Sequence, residues 1–450
     1  MKLVLLSCYE LGHQPLGLAL PLAFLERAGH EAIAQDLAVE QLDDELIRGA
    51  DFVGISVPMH TALRVGVQVA ARVRELAPGA HVCFFGLYAP LNAAYLRANG
   101  ADSVLGGEHE TELVALVDRL ARGEPATPGR AAVILDKLAF PVPRRTTLPV
   151  LRQYARLLVD GEERLAGYTE ASRGCLHSCR HCPIPPVYGG RFFVIDRETV
   201  LADIAAQIEA GARHITFGDP DFFNGPRHGM AILRELHERW PAVTFDVTIK
   251  VSHLLARRAL VPELAALGCA FVVSAVESLD DGVLARLDKG HTRADFEEAL
   301  ALCRAAGLVM RPTFLPFTPW TTLEQLVELV DFIAREELID CVDPVQLSIR
   351  LLVPPGSLLL APATRDDLGE LDPAALSYTW THRDPRVDAL QRELAQIAED
   401  AAAGDEPADR VFARIRERVY AASGRAPAPL AHRPLPPRPT APRLTEAWFC

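Results

Sequence analysis

Three cysteines stand close together near the middle of the chain: Cys175, Cys179 and Cys182, in the run A-S-R-G-C-L-H-S-C-R-H-C-P at Ala171–Pro183. Their spacing is C-x₃-C-x₂-C. Thiolates are the ligands that iron–sulfur clusters take, usually four of them. Three thiolates on one segment leave one iron open to a ligand from outside the protein. The segment must be a loop, because neither a strand nor a helix at this spacing aims three side chains at one point. Ala166–Ser172 before it reads as a strand; Pro183, Pro185, Pro186 and Gly189–Gly190 after it break regular structure. The cysteines are thereby placed at a strand's carboxyl end, where parallel α/β sheets bind ligands. Two other chemistries use such residues. A structural zinc site would add His177 or His181 to make Cys₃His, but such sites usually pair two cysteine arms and no second arm is present. A disulfide framework fits less well, since nine cysteines are scattered over 450 residues with no signal peptide.

Length predicts two or three domains. Hydrophobic residues at 49% and charged residues at 23% are those of a soluble globular chain. No apolar run reaches the roughly 18 residues a membrane helix needs; Leu16–Leu25 is short and broken by Pro21. The opening M-K-L-V-L-L-S reads as a first strand rather than a signal peptide. A net charge of −13 argues against nucleic acid as a partner. The expected location is the reducing cytoplasm, away from any membrane, as an oxygen-sensitive cluster requires.

Elements must position the loop. Residues 1–122 alternate strand patterns (Lys2–Ser7, Glu31–Asp36, Asp51–Val57, His81–Gly86, Asp102–Leu105) with helical ones (Leu16–Ala28, Leu63–Leu76, Pro90–Ala98, Thr111–Leu120). Such alternation predicts an α/β fold with a doubly wound parallel sheet. Residues 123–165, with G-E-P-A-T-P-G-R at Gly123–Arg130, read as a linker in which Arg144 and Arg145 bind backbone or surface carboxylates. Residues 166–359 alternate again. His214–Gly218, Val243–Ile249, Ala270–Val276, Val309–Leu315 and Pro344–Leu351 are strand candidates, separated by helices near Arg197–Glu209, His228–Arg239, Leu254–Leu267, Asp281–Leu287, Arg293–Ala306 and Leu323–Glu336. Residues 360–424 read as helical, with Tyr378, Trp380 and His382 lining a cavity or packing the flank. Cys269, Cys303 and Cys341 sit in apolar segments and read as core residues. Residues 425–450 form a Pro-rich tail that reads as extended and mobile, ending in Cys450.

The cysteine motif, followed by these βα units, resembles the radical S-adenosylmethionine (SAM) superfamily. That resemblance implies a partial (β/α)₆ TIM-like barrel in which Cys175, Cys179 and Cys182 hold a 4Fe-4S cluster and SAM chelates the open iron. An electron from the cluster, delivered by a donor such as flavodoxin or ferredoxin, then cleaves SAM to a 5′-deoxyadenosyl radical that attacks a small-molecule or peptide substrate. The family's aromatic residue before the third cysteine, beside the adenine, is here His181. Where the family has G-G-E, this chain has Gly218–Asp219–Pro220; Asp219 either replaces the acid or, with Asp221, caps the next helix. Lys250 stands where it would meet a carboxylate of SAM or substrate. S-A-V-E-S at Ser274–Ser278 with D-K-G-H-T at Asp288–Thr292 resembles the G-x-E-S…L-x-K-x-T pattern of cobalamin-type members, which puts Ser274, Glu277 and Ser278 at SAM. A glutamate buried at a strand end is costly unless paired. Arg311, a further SAM candidate, and Arg350 suit bidentate carboxylates, or form structural ion pairs.

The first half is similar to the cobalamin-binding, Rossmann-like domain that precedes many such barrels. D-F-V-G-I-S-V at Asp51–Val57, F-G at Phe85–Gly86, and G-E-H-E-T at Gly107–Thr111 after Gly106 carry the similarity. It implies that Ser56, Thr61, Gly86, Gly106 and Gly107 line cobalamin. The first loop, C-Y-E-L-G-H-Q-P-L-G at Cys8–Gly17, departs from the family's D-x-H-x-x-G. His13 is then either a cobalt ligand or a hydrogen-bonding loop histidine, and the domain either binds cobalamin or packs as a degenerate copy. The tail L-T-E-A-W-F-C resembles a subgroup ending Cys-Cys-Ala-Glu-Pro or Cys-selenocysteine-Ala-Glu-Pro. That likeness makes residue 451 an expected selenocysteine read as a stop, and the resulting thiol–selenol a soft donor or redox pair.

The expected function is therefore radical SAM chemistry on an unidentified substrate: methylation of an unactivated carbon where cobalamin binds, and a rearrangement or C–S bond formation where it does not. Its rivals are transfer of another SAM-derived group, for instance to arsenic held by the tail, and a cluster- or zinc-binding redox protein without SAM chemistry.

Overall fold

The computed structural model describes residues 1–126, 132–404, 406–427 and 441–446. Strands β1 (Leu3–Ser7), β2 (Ala32–Asp36), β3 (Phe52–Ser56), β4 (His81–Phe85), β5 (Ser103–Gly107) and β6 (Ala132–Ile134) form a parallel sheet in the order β2-β1-β3-β4-β5-β6. β1 and β3 are buried along their whole length, as strands covered on both faces must be. Helices Leu16–Arg27 and Glu110–Ala121 pack on one face and His60–Leu76 on the other. Strand order reverses between β1 and β3, which opens a crevice at their carboxyl ends. The sheet runs past residue 122: β6 lies in the segment read from sequence as linker.

The second sheet begins with a hairpin, β7 (Arg156–Val159) and β8 (Glu162–Thr169), turned by Asp160 and Gly161 at φ +49° and +79°. Asp-Gly with both residues at positive φ is the turn whose twist matches a hairpin. It lies in the supposed linker, and the D-G between apolar runs was its legible signal. A short antiparallel ladder, β9 (Ser172–Gly174) with β10 (Phe192–Val194), then brackets the cysteine loop. β11 (His214–Phe217), β12 (Thr244–Thr248), β13 (Cys269–Glu277) and β14 (Val309–Phe314) follow β8 in parallel, giving the order β14-β13-β12-β11-β8-β7. Their helices complete the partial barrel.

Three expectations change. Pro344–Leu351 is not a strand: Pro344–Ser348 forms a 3₁₀ turn, and only Arg350 bridges to Phe317 beside β14. Pro344 supplies no N–H to a ladder, and Arg350 is drawn outward to Asp388, 2.6 Å away, and over the Trp380 ring. The helix expected over Leu254–Leu267 is two, Val251–Ala256 and Val261–Ala266, the second opening with Pro262 in its first turn. Residues 360–424 are helical mainly over Pro385–Gly404 and Ala408–Ser423. Before these helices, β15 (Leu371–Asp372) pairs with β16 (Ser377–Tyr378), and Trp380 is buried, donating to Leu351 O at 2.8 Å.

The tail also returns. β17 (Arg443–Leu444) pairs antiparallel with the open edge of β7, whose unpaired backbone groups invite an added strand. Glu446 next to it accepts from Tyr9 OH at 2.9 Å. The expected selenocysteine neighbour Cys450 lies outside the described residues. Arg145 joins the halves. Its guanidinium forks onto the buried Asp203 (2.6 and 2.9 Å) and also reaches Tyr168 O and Gln14 Oε1, so its carboxylate is an interior one, not the surface group expected. No helix among the described residues is long and apolar enough to cross a membrane.

Candidate functional site

The cysteine loop leaves β9 through Gly174, at φ +76°, where a Cβ would stand 2.5 Å from Arg191 O; only glycine fits. Cys175 and Cys179 are buried, Cys182 is half-buried, and none is in a disulfide. Burial pushes the Cys175 thiol up and that of Cys182 to about 12, and neighbouring cysteine thiolates add to both. The three groups thus face one another with little to offset their charge except Lys289. Metal binding needs thiolates, and a cationic cluster supplies the missing counter-charge. The sulfurs do not form a set within 4.8 Å of one another. One zinc ion would draw its donors that close, whereas a cubane gives each thiolate its own iron; the Cys₃His alternative therefore loses ground.

Glu277 closes the site from the end of β13. Its φ is +68°, and Ser278 N bonds back to Val276 O at 2.9 Å, a tight γ-turn at a strand bulge. Non-glycine residues hold this conformation at a cost of about 1–3 kcal/mol and do so mostly at functional sites. The turn aims the carboxylate at Lys289 Nζ (3.2 Å) and at His181 Nε2 (3.1 Å) in the cysteine loop. Burial alone would raise the Glu277 carboxyl, but Lys289 and His181 hold it down at about 2. Lys289 is raised despite burial by Glu277 and by the Cys179 and Cys182 thiolates. The other nitrogen of His181, Nδ1, is buried without a partner, as a ring waiting for a ligand's hydrogen bond would be.

Other expected SAM residues are placed differently. Asp219 is buried and caps no helix; it accepts from Ala171 N (2.8 Å) and Ser172 Oγ (2.6 Å), bracing the strand that leads into the cysteines. Burial lifts its carboxyl to about 7. Gly218 abuts the Tyr168 ring, which a Cβ would strike. Lys250 Nζ lies near Gly290, 3.6 Å from where a Cβ there would stand, and is in no ion pair among the described residues. Three residues are committed elsewhere. The Ser274 hydroxyl donates to Ile249 O at 2.8 Å, and Ser278 accepts from Asp280 N at 3.0 Å. Arg311 is buried against Asp343 (2.9 Å), Asp340 O and Pro442 O, well back along β14. A neighbouring acid and two carbonyls satisfy its fork, so it does not face the cysteines.

On the first sheet's side, Ser56 is buried at the end of β3 and Thr61 lies in the first turn of His60–Leu76. Gly86 packs on the Val57 backbone. A Cβ on Gly106 would meet Pro90 Cγ at 2.4 Å and one on Gly107, at φ +67°, would meet Ile134 O at 2.1 Å. These glycines are required by the protein's own packing as well as by any ligand. His13 is buried, stacks on Tyr168 of β8 with centroids 4.7 Å apart, and is pushed down to about 4 by burial.

What the motifs concealed lies between the halves. Arg173, two residues before Cys175, binds Glu110 at 2.5 Å and Glu170 at 3.0 Å, with Glu108 at 3.9 Å. Tyr188 OH donates to Glu108 at 3.1 Å. Burial lifts Glu108 to about 7 and Glu10, in the first loop, to about 8. Glu108 Oε2, Glu110 Oε2 and His109 Nε2 are buried without hydrogen-bond partners. The G-E-H-E-T run and the arginine of A-S-R-G-C were the visible signals, but nothing in the chain order pairs them. These orphaned atoms fit a ligand rich in polar arms. A surface cavity of about 530 Å³ beside Asp51, Arg74 and His81 opens at the strands' amino ends and faces away from all of this chemistry.

Comparison with known proteins agrees with this layout. The Radical SAM superfamily model matches residues 169–333 and the B12 binding domain model residues 2–117. The hopanoid C-3 methylase of Methylococcus capsulatus is 26% identical over 328 residues, 68% of this chain and 62% of that protein. The bacteriochlorophyllide d C-8(2)-methyltransferase of Chlorobaculum tepidum is 25% identical over 322 residues, 67% of each. The chain thus spans less than two thirds of the hopanoid methylase. Among solved structures, the cobalamin-dependent SAM radical enzyme OxsB, with aqua-cobalamin and SAM bound, superposes with a TM-score of 0.70 at 17% identity, covering 90% of this chain and 67% of that one. The radical SAM methyltransferase TsrM from Kitasatospora setae, with tryptophan and a SAM analogue, gives 0.63 at 21%, covering 75% and 72%. At these identities the structural likeness is one of fold.

Proposed function

We infer that this chain, in which a B12-binding domain precedes a radical SAM domain, is an enzyme that methylates a small-molecule substrate at a carbon using a 4Fe-4S cluster, SAM and cobalamin. The single observation that carries the reading is Arg173, which ties the strand leading into Cys175 to Glu110 at the first sheet's ligand-binding edge. A cluster-side ligand and a corrinoid-side ligand would then lie on opposite walls of one cleft.

In this reading residues 1–122, continued by β6, hold the corrinoid, and residues 166–359 hold the cluster and SAM. Cys175, Cys179 and Cys182 bind three irons. The Glu277–Lys289 pair and His181 meet the charged and aromatic parts of SAM; Asp219 keeps the cysteine loop in register. Glu108, His109 and Glu110 accept from or donate to the corrinoid's amide arms. When bound, these groups supply a SAM-derived radical and a methyl carrier; the protein's share is to hold them close, exclude water and place the substrate. The hopanoid and bacteriochlorophyllide relatives, the two matched over about two thirds of this chain, are methylases, which favours methyl transfer. A one-electron donor of the flavodoxin or ferredoxin type belongs to the same reading.

One observation favours a second reading, transfer of a different SAM-derived group without corrinoid: Pro90 and Ile134 already fill the space against Gly106 and Gly107. Anaerobic reconstitution with iron, sulfide and hydroxocobalamin separates the two. The first predicts stoichiometric corrinoid after gel filtration, and, on reduction with SAM, both 5′-deoxyadenosine and S-adenosylhomocysteine. Corrinoid-free protein that still cleaves SAM supports the second. Cluster-loaded protein that leaves SAM intact overturns both.

A further inference from the structure

Beside the cysteine loop, side chains from three strand ends converge. His177 lies in the loop itself, Asp221 in the turn after β11, and His253 in the helix Val251–Ala256 after β12. Their ligand atoms all lie within 4.8 Å of one another, and no other such trio of His, Cys, Asp or Glu donors occurs among the described residues. Asp221 Oδ2 stands 3.2 Å from His177 Nε2 and 2.7 Å from His253 Nδ1.

Both imidazoles aim at one oxygen. His177 Nε2 bonds to the carboxylate, and His253 Nδ1, buried and closer still, pairs with the same oxygen; together they hold the Asp221 carboxyl down. The carboxylate is also held in advance. Its Oδ1 accepts from Phe223 N at 3.2 Å and Lys250 N at 3.4 Å, which leaves Oδ2 for the imidazoles. The two rings, with centroids 4.7 Å apart, are tilted by 56° rather than stacked, so each turns a nitrogen toward the same oxygen. Ligands oriented by outer hydrogen bonds are a hallmark of metal centres.

We propose that His177, Asp221 and His253 bind one divalent metal ion of the zinc type, distinct from the cluster, which ties the cysteine loop to the ends of β11 and β12. Two imidazoles and a carboxylate suit borderline ions such as zinc and ferrous iron and leave a position for water; calcium and magnesium prefer oxygen throughout. The site stands whether or not the chain uses SAM.

Because the three thiols compete for zinc, the test uses the full chain carrying C175A, C179A and C182A. Titrated with Zn²⁺ alone against a chromophoric chelator, this protein should bind one ion. Co²⁺ should give ligand-field bands without sulfur charge transfer. Adding His253→Gln, which keeps a polar side chain but not the imidazole, should weaken Zn²⁺ binding by about 100-fold or more, beyond the usual loss of an outer partner. Asp221→Asn should do the same. Unchanged affinity in both variants, or no zinc bound by the triple-alanine chain of native circular dichroism, overturns the proposal. Should the triple-alanine chain not fold, zinc content of cluster-loaded wild type decides. It should hold zinc that His253→Gln lacks, and its absence from the wild type overturns the site.

Discussion

Around Glu277 a half-buried acid has a lysine and a histidine to itself; around Arg173 two buried acids, Glu108 and Glu110, and the half-buried Glu170 share one arginine. The first arrangement keeps its carboxylate ionised, at about 2, and presents balanced charge. That suits a ligand carrying both signs, as the amino-acid end of SAM does. In the second, burial lifts Glu108 to about 7 and raises Glu170, while Arg173 holds Glu110 down; Glu10, in the first loop, is lifted by burial to about 8. Protonated or half-protonated carboxyls offer donors and acceptors to neutral polar groups instead. The first site leaves His181 Nδ1 without a hydrogen bond, whereas the second leaves Glu108 Oε2, His109 Nε2 and Glu110 Oε2 without one.

The largest test of that contrast is Arg173→Ala. Removing one partner from a buried ion cluster costs about 3–5 kcal/mol, so urea unfolding should shift by that much, and Arg173→Lys should restore part of it. A loss under about 1 kcal/mol, the range of an exposed pair, would erase the difference between the two walls. The next is pH. Glu10 and Glu108 bind protons more tightly in the fold than in the unfolded chain, where their value is 4.5. Their contribution is therefore intact below pH 4.5 and is lost as pH rises through about 7 to 8. Glu277 is the reverse: its contribution is present above 4.5 and fades as pH falls toward about 2. Hydrogen exchange, corrected for intrinsic rates, should then quicken at residues 103–122 as pH rises from about 5 to 7, by on the order of 2 kcal/mol in opening energy, while residues 269–289 hold steady. Equal response of both regions would contradict the assignment.

Gly106→Ala sharpens the corrinoid wall. Overpacking against Pro90 should cost about 1–3 kcal/mol in protein free of any corrinoid; a loss seen only in corrinoid affinity would return Gly106 to a purely ligand-lining role. The smallest effect is a reference outside both walls. Thr322 caps Leu323–Arg335 in a reciprocal box with Gln325, and Thr322→Ala should lower stability by about 1 kcal/mol without altering SAM cleavage.

The strand–helix alternation, the loop position of the cysteines and the pairing need of Glu277 were legible in the chain itself. Each depends on neighbours a few residues apart, where side-chain period, glycine, proline and thiol spacing act directly. Residues 344–351 were misread because an apolar run says strand while Pro344 and the outward pull of Asp388 on Arg350 say otherwise. Tertiary structure alone decided which charges meet. Arg311 went to Asp343 and Arg145 to Asp203, Arg173 was shared among Glu108, Glu110 and Glu170, and Asp221 received two histidines. Burial makes an unpaired charge costly but does not name its partner; that choice falls to whichever strand ends the two sheets bring together, and chain order does not contain it.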